Sequence, residues 1–193
     1  LKVFLDSPMA VKITDVFKRH SALFDREMSW LVTHKRSPFE FSGLKMIHTV
    51  AESKAINDVV GTIMVIAGSG MCNGGRIKHH LVTNITRPES TILFVGYQAY
   101  GTLGRHIVDG AKQVRIFGRN YPVKARIAQL HGFSSHADRN DIIRWLSELK
   151  KAPRQVFVVH GEPKAAKNLS QWLQGEKGWN ISVPGYGEEI MLD

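Results

Sequence analysis

The chain has 193 residues, 43% of them hydrophobic, enough to bury a core in one domain or in two packed lobes. A single cysteine, Cys72, excludes an intrachain disulfide and a cysteine-rich zinc site, and no apolar run is long enough to span a membrane. Lysine and arginine number 26 against 17 acidic residues, for a net charge of +9, so a polyanion such as nucleic acid is the first partner to consider beside the plainer reading of a basic soluble protein.

In chain order, the apolar run Leu1-Lys2-Val3-Phe4-Leu5 reads as a strand. Because it opens on Leu1, the chain is expected to be a piece of a longer protein. No charged start leads into an apolar core with a cleavage site, so no secretion signal is expected and the cytoplasm is the expected location. Asp6-Ser7-Pro8 makes a turn in which Asp6 or Ser7 can cap a helix over 9–24. Residues 30–42 give no clear pattern. A strand over 45–50 and a helix over 53–60 follow. The continuous apolar run 62–67 predicts a strand buried on both faces of a parallel sheet, and 91–96 predicts a second. Between them lie Gly68-Ser69-Gly70, Gly74-Gly75 and a helix over 76–85. A short helix is predicted over 101–108. Residues 113–117 and 123–130 read as an antiparallel pair around a turn at 118–122. Then come a helix over 138–150, a strand over 155–159, a helix over 163–173 and strands at 180–183 and 189–192. This alternation predicts an α/β fold, with ligands at the carboxyl ends of the strands and a boundary near 130–132.

Four segments carry candidate chemistry. Ser135 and Asp138 have capping-box spacing, and the helix N-terminus behind them is a natural anion site facing Ser134 and His136. There His136 could hand a proton to a phosphate-ester leaving group. The same residues also read as a capped surface helix with an incidental histidine. His160 ends a buried strand, where a metal ligand and a hydrogen-bonded turn histidine are equal readings; one histidine cannot hold zinc. The loop at Ser69 and Gly70 suits a phosphate cradle or a tight turn, and it matches neither the phosphate-loop nor the dinucleotide fingerprint. In Gly96-Tyr97-Gln98-Ala99-Tyr100-Gly101-Thr102-Leu103-Gly104-Arg105, Tyr97 and Tyr100 could stack on bases or pack at an edge, and Arg105 could pair with phosphate.

In this order, Asp6-Ser7-Pro8-Met9-Ala10, the Gly68 and Gly96 loops, Gly132-Phe133-Ser134-Ser135-His136-Ala137-Asp138 and Val159-His160-Gly161-Glu162 form a series. It resembles the β-CASP branch of the metallo-β-lactamase superfamily over nearly the whole chain. The resemblance implies a β-CASP lobe (1–130), a largely parallel sheet flanked by helices, followed by the C-terminal part (131–193) of a metallo-β-lactamase αββα fold. It implies a zinc-dependent RNA phosphodiesterase, endonuclease or 5′-exonuclease or both, in which two zinc ions activate a water to attack phosphorus. His136 takes the place of the general acid and His160 that of a late zinc ligand. Ser134 takes the place of a phosphate-holding serine, with Ser135, Ser7, Ser69, Gly70, Tyr100 and Arg105 as expected RNA or phosphate contacts. Single-stranded RNA is the expected partner, a homodimer is left open, and no membrane is involved.

The family's His-x-His-x-Asp-His string is absent from the chain, and the missing ligands are expected N-terminal to Leu1, leaving these residues inactive alone. Ser135 stands where many relatives have alanine. A non-catalytic RNA-binding scaffold is the alternative, opposed by the presence of both His136 and His160. A DNA-processing member is opposed by His160, since DNA-directed relatives tend to carry valine there.

Overall fold

The computed structural model describes residues 1–134 and 136–192. They divide into two compact units, Leu1–Ser134 and Ser135–Asp193. The predicted site residue Ser135 lies outside the described residues.

The first unit begins with β1 (Lys2–Asp6) and α1 (Pro8–Arg19). Ser7, not Asp6, caps α1, its hydroxyl accepting from the Ala10 amide at 3.4 Å with Pro8 at the first helical position. The helix predicted to reach residue 24 stops at Arg19, and a 3-10 turn (Ser21–Leu23) follows. The stretch that gave no pattern starts in α2 (Arg26–Thr33), capped by Asp25. Then come β2 (Leu44–Met46), α3 (Val50–Ala55), β3 (Ile63–Ala67), α4 (Ile77–Asn84), β4 (Thr91–Val95), α5 (Leu103–Val108), β5 (Gln113–Ile116), β6 (Arg119–Pro122) and β7 (Arg126–Leu130). A complete capping box between Thr49 and Glu52 starts α3 three residues earlier than predicted and cuts short the strand before it.

β1 is the centre of a parallel sheet, order β2-β1-β3, and β4 pairs in parallel with β7. The unit is therefore α/β with parallel pairing, as the alternation predicts. Two expectations about strands fail. β3 and β4 are not buried on both faces: β3 is a sheet edge, and Met64, Ile66, Leu93 and Val95 are each 45–56% exposed. The hairpin partner of β5 is β6, joined by the two-residue turn Phe117-Gly118, with both residues at positive φ (48° and 79°). That turn geometry matches the twist of an antiparallel pair, which leaves residues 126–130 to run parallel to β4.

Leu81 and Ile85 of α4, Phe94 of β4, Ile107 of α5 and Val114 and Ile116 of β5 close one core with Cys72. Each fully buried side chain of this size stabilises the fold by roughly 1.5–3 kcal/mol before entropy is counted. Burial pushes the Cys72 thiol up to about 11, so it sits there as a small apolar group. Phe4, Ile47 and Ile56 form a second, smaller core at the first sheet.

The second unit holds α6 (Arg139–Ser147), β8 (Val156–Phe157), α7 (Pro163–Lys177) and β9 (Ile181–Ser182), with β8 and β9 parallel. α7 ends at Gly178, whose φ of 64° lets its amide reach back to the Gln174 carbonyl. Among the described residues of this unit, Ala166 and Leu173 of α7 are the buried hydrophobics. No helix of the described residues is long and apolar enough to cross a membrane.

Candidate functional site

In the first unit the predicted residues gather where β1, β3, β4 and β7 end. The Gly68 loop closes on itself: the Ile77 amide donates to the Gly68 carbonyl (3.1 Å), and the Cys72 amide to the Ser69 carbonyl (3.0 Å). Gly75 is needed there. Its φ is 74°, and a Cβ would stand 2.6 Å from the Gly68 carbonyl oxygen. Ser7 lies alongside, its hydroxyl 3.2 Å from where a Cβ on Gly68 would be. Ser69 and Gly70 are exposed.

Beneath this loop is a polar cluster that sequence reasoning missed. Asp6 is fully buried and accepts from Ser53 Oγ (2.6 Å), Arg76 Nη1 (2.5 Å) and His80 Nε2 (2.6 Å). Arg76 also donates to the carbonyls of Ile47 (3.3 Å) and His48 (3.2 Å). Burial alone would raise the Asp6 carboxyl; the bonds from Ser53, His80 and Arg76 and the Arg76 charge outweigh it and hold the group below its ordinary value. The cluster ties the end of β1 to α3 and to the start of α4, where the Gly68 loop ends. Positions 76 and 80 are one helical turn apart, but nothing in the sequence links them to 6 and 53, so only the fold brings the four together.

The Gly96 loop is joined to the Gly68 loop. The Gly104 amide donates to the Met71 carbonyl (3.0 Å), and the Leu103 amide to Asn73 Oδ1 (3.0 Å). Gly104 leaves room for the buried Gln98 carboxamide, with which a Cβ would collide. Arg105 does not simply project as a phosphate hook. Its Nε bonds both carboxylate oxygens of Asp109 at 2.9 Å, and Nη1 donates to the Gln98 carbonyl at 3.4 Å. Arg105 and Ser134 line one cavity of about 440 Å³ with Tyr97, Asp109, Gln129 and His131. Tyr100 is not among its lining residues and is 83% exposed. His131 was missed although a signal existed: Leu130-His131-Gly132 repeats the pattern of Val159-His160-Gly161, a strand running into His-Gly.

In the second unit, His136 and His160 are both exposed. The capping box lies one turn later than expected. Asp138 is the cap, accepting from the Asp141 amide at 2.9 Å, and Asp141 returns the bond to the Asp138 amide at 3.3 Å. Two overlapping box patterns compete, Ser135 with Asp138 and Asp138 with Asp141, and α6 follows the second. In its first turn the Asp141 amide thus bonds the helix's own Asp138 carboxylate. His160 takes a left-handed φ of 63° before α7. Among the described residues no group of three or more His, Cys, Asp or Glu side chains could hold a metal. One imidazole is not a zinc centre, so these residues do not fit a zinc pair by themselves.

With this geometry in hand, comparison with known proteins places the chain. The Beta-Casp domain model matches residues 1–107, and the model of a Zn-dependent metallo-hydrolase RNA specificity domain matches residues 120–184. The chain belongs to the β-CASP family of the metallo-β-lactamase superfamily. It is 36% identical over 188 residues to Ribonuclease TTHA0252 of Thermus thermophilus, covering 97% of this chain and 42% of that protein. It is similar, too, to Transcription termination factor FttA of Methanocaldococcus jannaschii, 31% identical over 166 residues, covering 83% of this chain and 26% of that protein. FttA of Pyrococcus abyssi is 30% identical over 156 residues, covering 77% and 24%. The chain thus spans less than half the length of these β-CASP relatives.

Proposed function

We propose that this β-CASP chain belongs to a zinc-dependent RNA phosphodiesterase that cuts single-stranded RNA internally, from the 5′ end, or both. The observation that carries the reading is the pair of joined Gly-rich loops beside a cavity lined by Arg105, Tyr97, His131 and Ser134. Such a surface offers hydroxyl, imidazole and guanidinium donors to phosphate and a ring to a base. Ser7, Ser69, Gly70 and Tyr100 extend it along the loops, and Ser134 and Ser135 hold phosphate oxygens. The ribonuclease relative supports the same substrate class.

In this reading His136 donates the proton that the leaving oxygen needs as the P–O bond breaks, an exposed position suiting exchange with solvent. His160 is one zinc ligand, with the others supplied from outside these residues. The described residues do not assemble a zinc site by themselves. The second reading is a non-catalytic RNA-binding scaffold, opposed by the presence of both His136 and His160.

Cleavage of a 5′-labelled single-stranded RNA by the whole protein separates the two. His160→Ala is expected to lower zinc occupancy, measured by elemental analysis, and abolish cleavage. His136→Ala is expected to slow cleavage with zinc retained. Full ribonuclease activity in both variants would overturn the site assignment.

A further inference from the structure

The tip of the β5–β6 hairpin has features that neither the cavity nor the loops explain. Phe117 occupies a turn position at φ 48°, where asparagine, aspartate or glycine is the favoured choice, and its side chain is 52% exposed. An aromatic ring held there against backbone preference calls for another reason to be present. It is braced from α4: Lys78 Nζ stands 4.5 Å from the ring centroid, and the His79 ring lies 4.8 Å away at 35°. Arg115 Nε donates to the Gly118 carbonyl at 3.3 Å, which brings a guanidinium to the turn, and Arg119 follows the turn and is exposed.

Both contributing segments lack acidic residues. None occurs between Asp58 and Glu89, around α4, or between Asp109 and Asp138, around the hairpin. The platform is also rigid. Leu81 and Ile85 of α4 share a core with Val114 and Ile116 of β5, and the amides of Lys124 and Ala125 both donate to the Ile85 carbonyl. An exposed ring among fixed cations, with no carboxylate nearby in sequence to neutralise them, is what a single strand of RNA can use: a base on the ring and phosphates on the cations. An acidic protein segment would use the cations and leave the ring idle.

We infer that Phe117, Lys78, Arg115 and Arg119 form an RNA-binding patch outside the cavity, stacking one base and pairing its flanking phosphates. This rests on the proposed RNA-binding function, and the test keeps the two apart. Binding of a labelled single-stranded RNA to the whole protein is followed by anisotropy over a salt series. The Lys78→Gln, Arg115→Gln, Arg119→Gln triple variant is expected to bind about tenfold more weakly at moderate salt. Its slope of log affinity on log salt is expected to fall by about 2, as three lost contacts to a single strand require. Its thermal midpoint should fall by no more than the few degrees that loss of the Lys78 and Arg115 contacts at the exposed turn allows. Phe117→Leu is expected to weaken RNA binding and leave binding of inorganic polyphosphate unchanged.

An unchanged affinity and salt slope in the triple variant, while Arg105→Gln or Ser134→Ala weakens binding, would remove the patch and keep the function. A wild-type protein that binds no RNA would remove both. A triple variant that loses polyglutamate binding but keeps RNA binding would assign the surface to an acidic protein partner and overturn the patch.

Discussion

The two units hold their functional residues by different physical means. In Leu1–Ser134 an apolar core lies beside a buried carboxylate with three side-chain donors, which holds the start of α4 after the Gly68 loop, and the Gly96 loop is bonded to that loop. In Ser135–Asp193 the buried hydrophobics among the described residues come from one helix, and Trp145 and Leu149 are 74% and 50% exposed. There His136 and His160 sit on local devices: a capping box, a left-handed residue and a glycine-ended helix. A buried network is costly to break and fixes geometry firmly, whereas a cap is worth about 1 kcal/mol. The first unit thus holds its loops on a buried network, and the second holds its histidines on local turns and caps.

The largest expected effect is on the first unit. Asp6→Ala leaves the largely buried Arg76 guanidinium without its carboxylate, and unfolding of this unit in urea is expected to become easier by about 3 kcal/mol. Because the Asp6 carboxyl is lower folded than unfolded, its contribution is full above the ordinary carboxylate range and fades as pH falls through the folded value. Wild-type protein should therefore lose stability on acidification more steeply than Asp6→Asn; equal acid profiles would show that the network does not support the unit. The smallest effect is on the second unit. Asp138→Ala is expected to cost about 1 kcal/mol, read as fraying of α6 by hydrogen exchange, with the first unit untouched. A loss in the second unit as large as that of Asp6→Ala would erase the contrast.

Local signals made much of the first unit legible. Ser7-Pro8, the apolar runs ending in glycine and the Gly75-Arg76 junction mark element ends by chemistry that acts over a few residues. What was missed depends on distance or on competition. β7 pairs with β4 across some thirty residues, so its proximity in sequence to β5 misled the hairpin assignment. Two capping boxes one turn apart cannot be ranked by spacing alone. Apolar runs announce strands, but not which face meets a neighbour, so burial of β3 and β4 on both faces does not follow from them. In the site, Ser134 and Arg105 were found from their motifs. The Asp6 cluster and His131 were not, the first because its members come from three separate elements and the second because its strand-to-His-Gly pattern marks a turn without showing the cavity beside it.

The proposed role of His136, supplying the proton to the leaving oxygen of a cleaved RNA phosphodiester, is tested most directly by the choice of leaving group. Whole protein carrying His136→Ala should cleave RNA about 10²–10⁴-fold more slowly. On an aryl phosphodiester, whose phenolate departs without a proton, the same variant should stay close to wild type. Equal losses on both substrates, or no loss on RNA, would contradict the assignment of His136 as the acid.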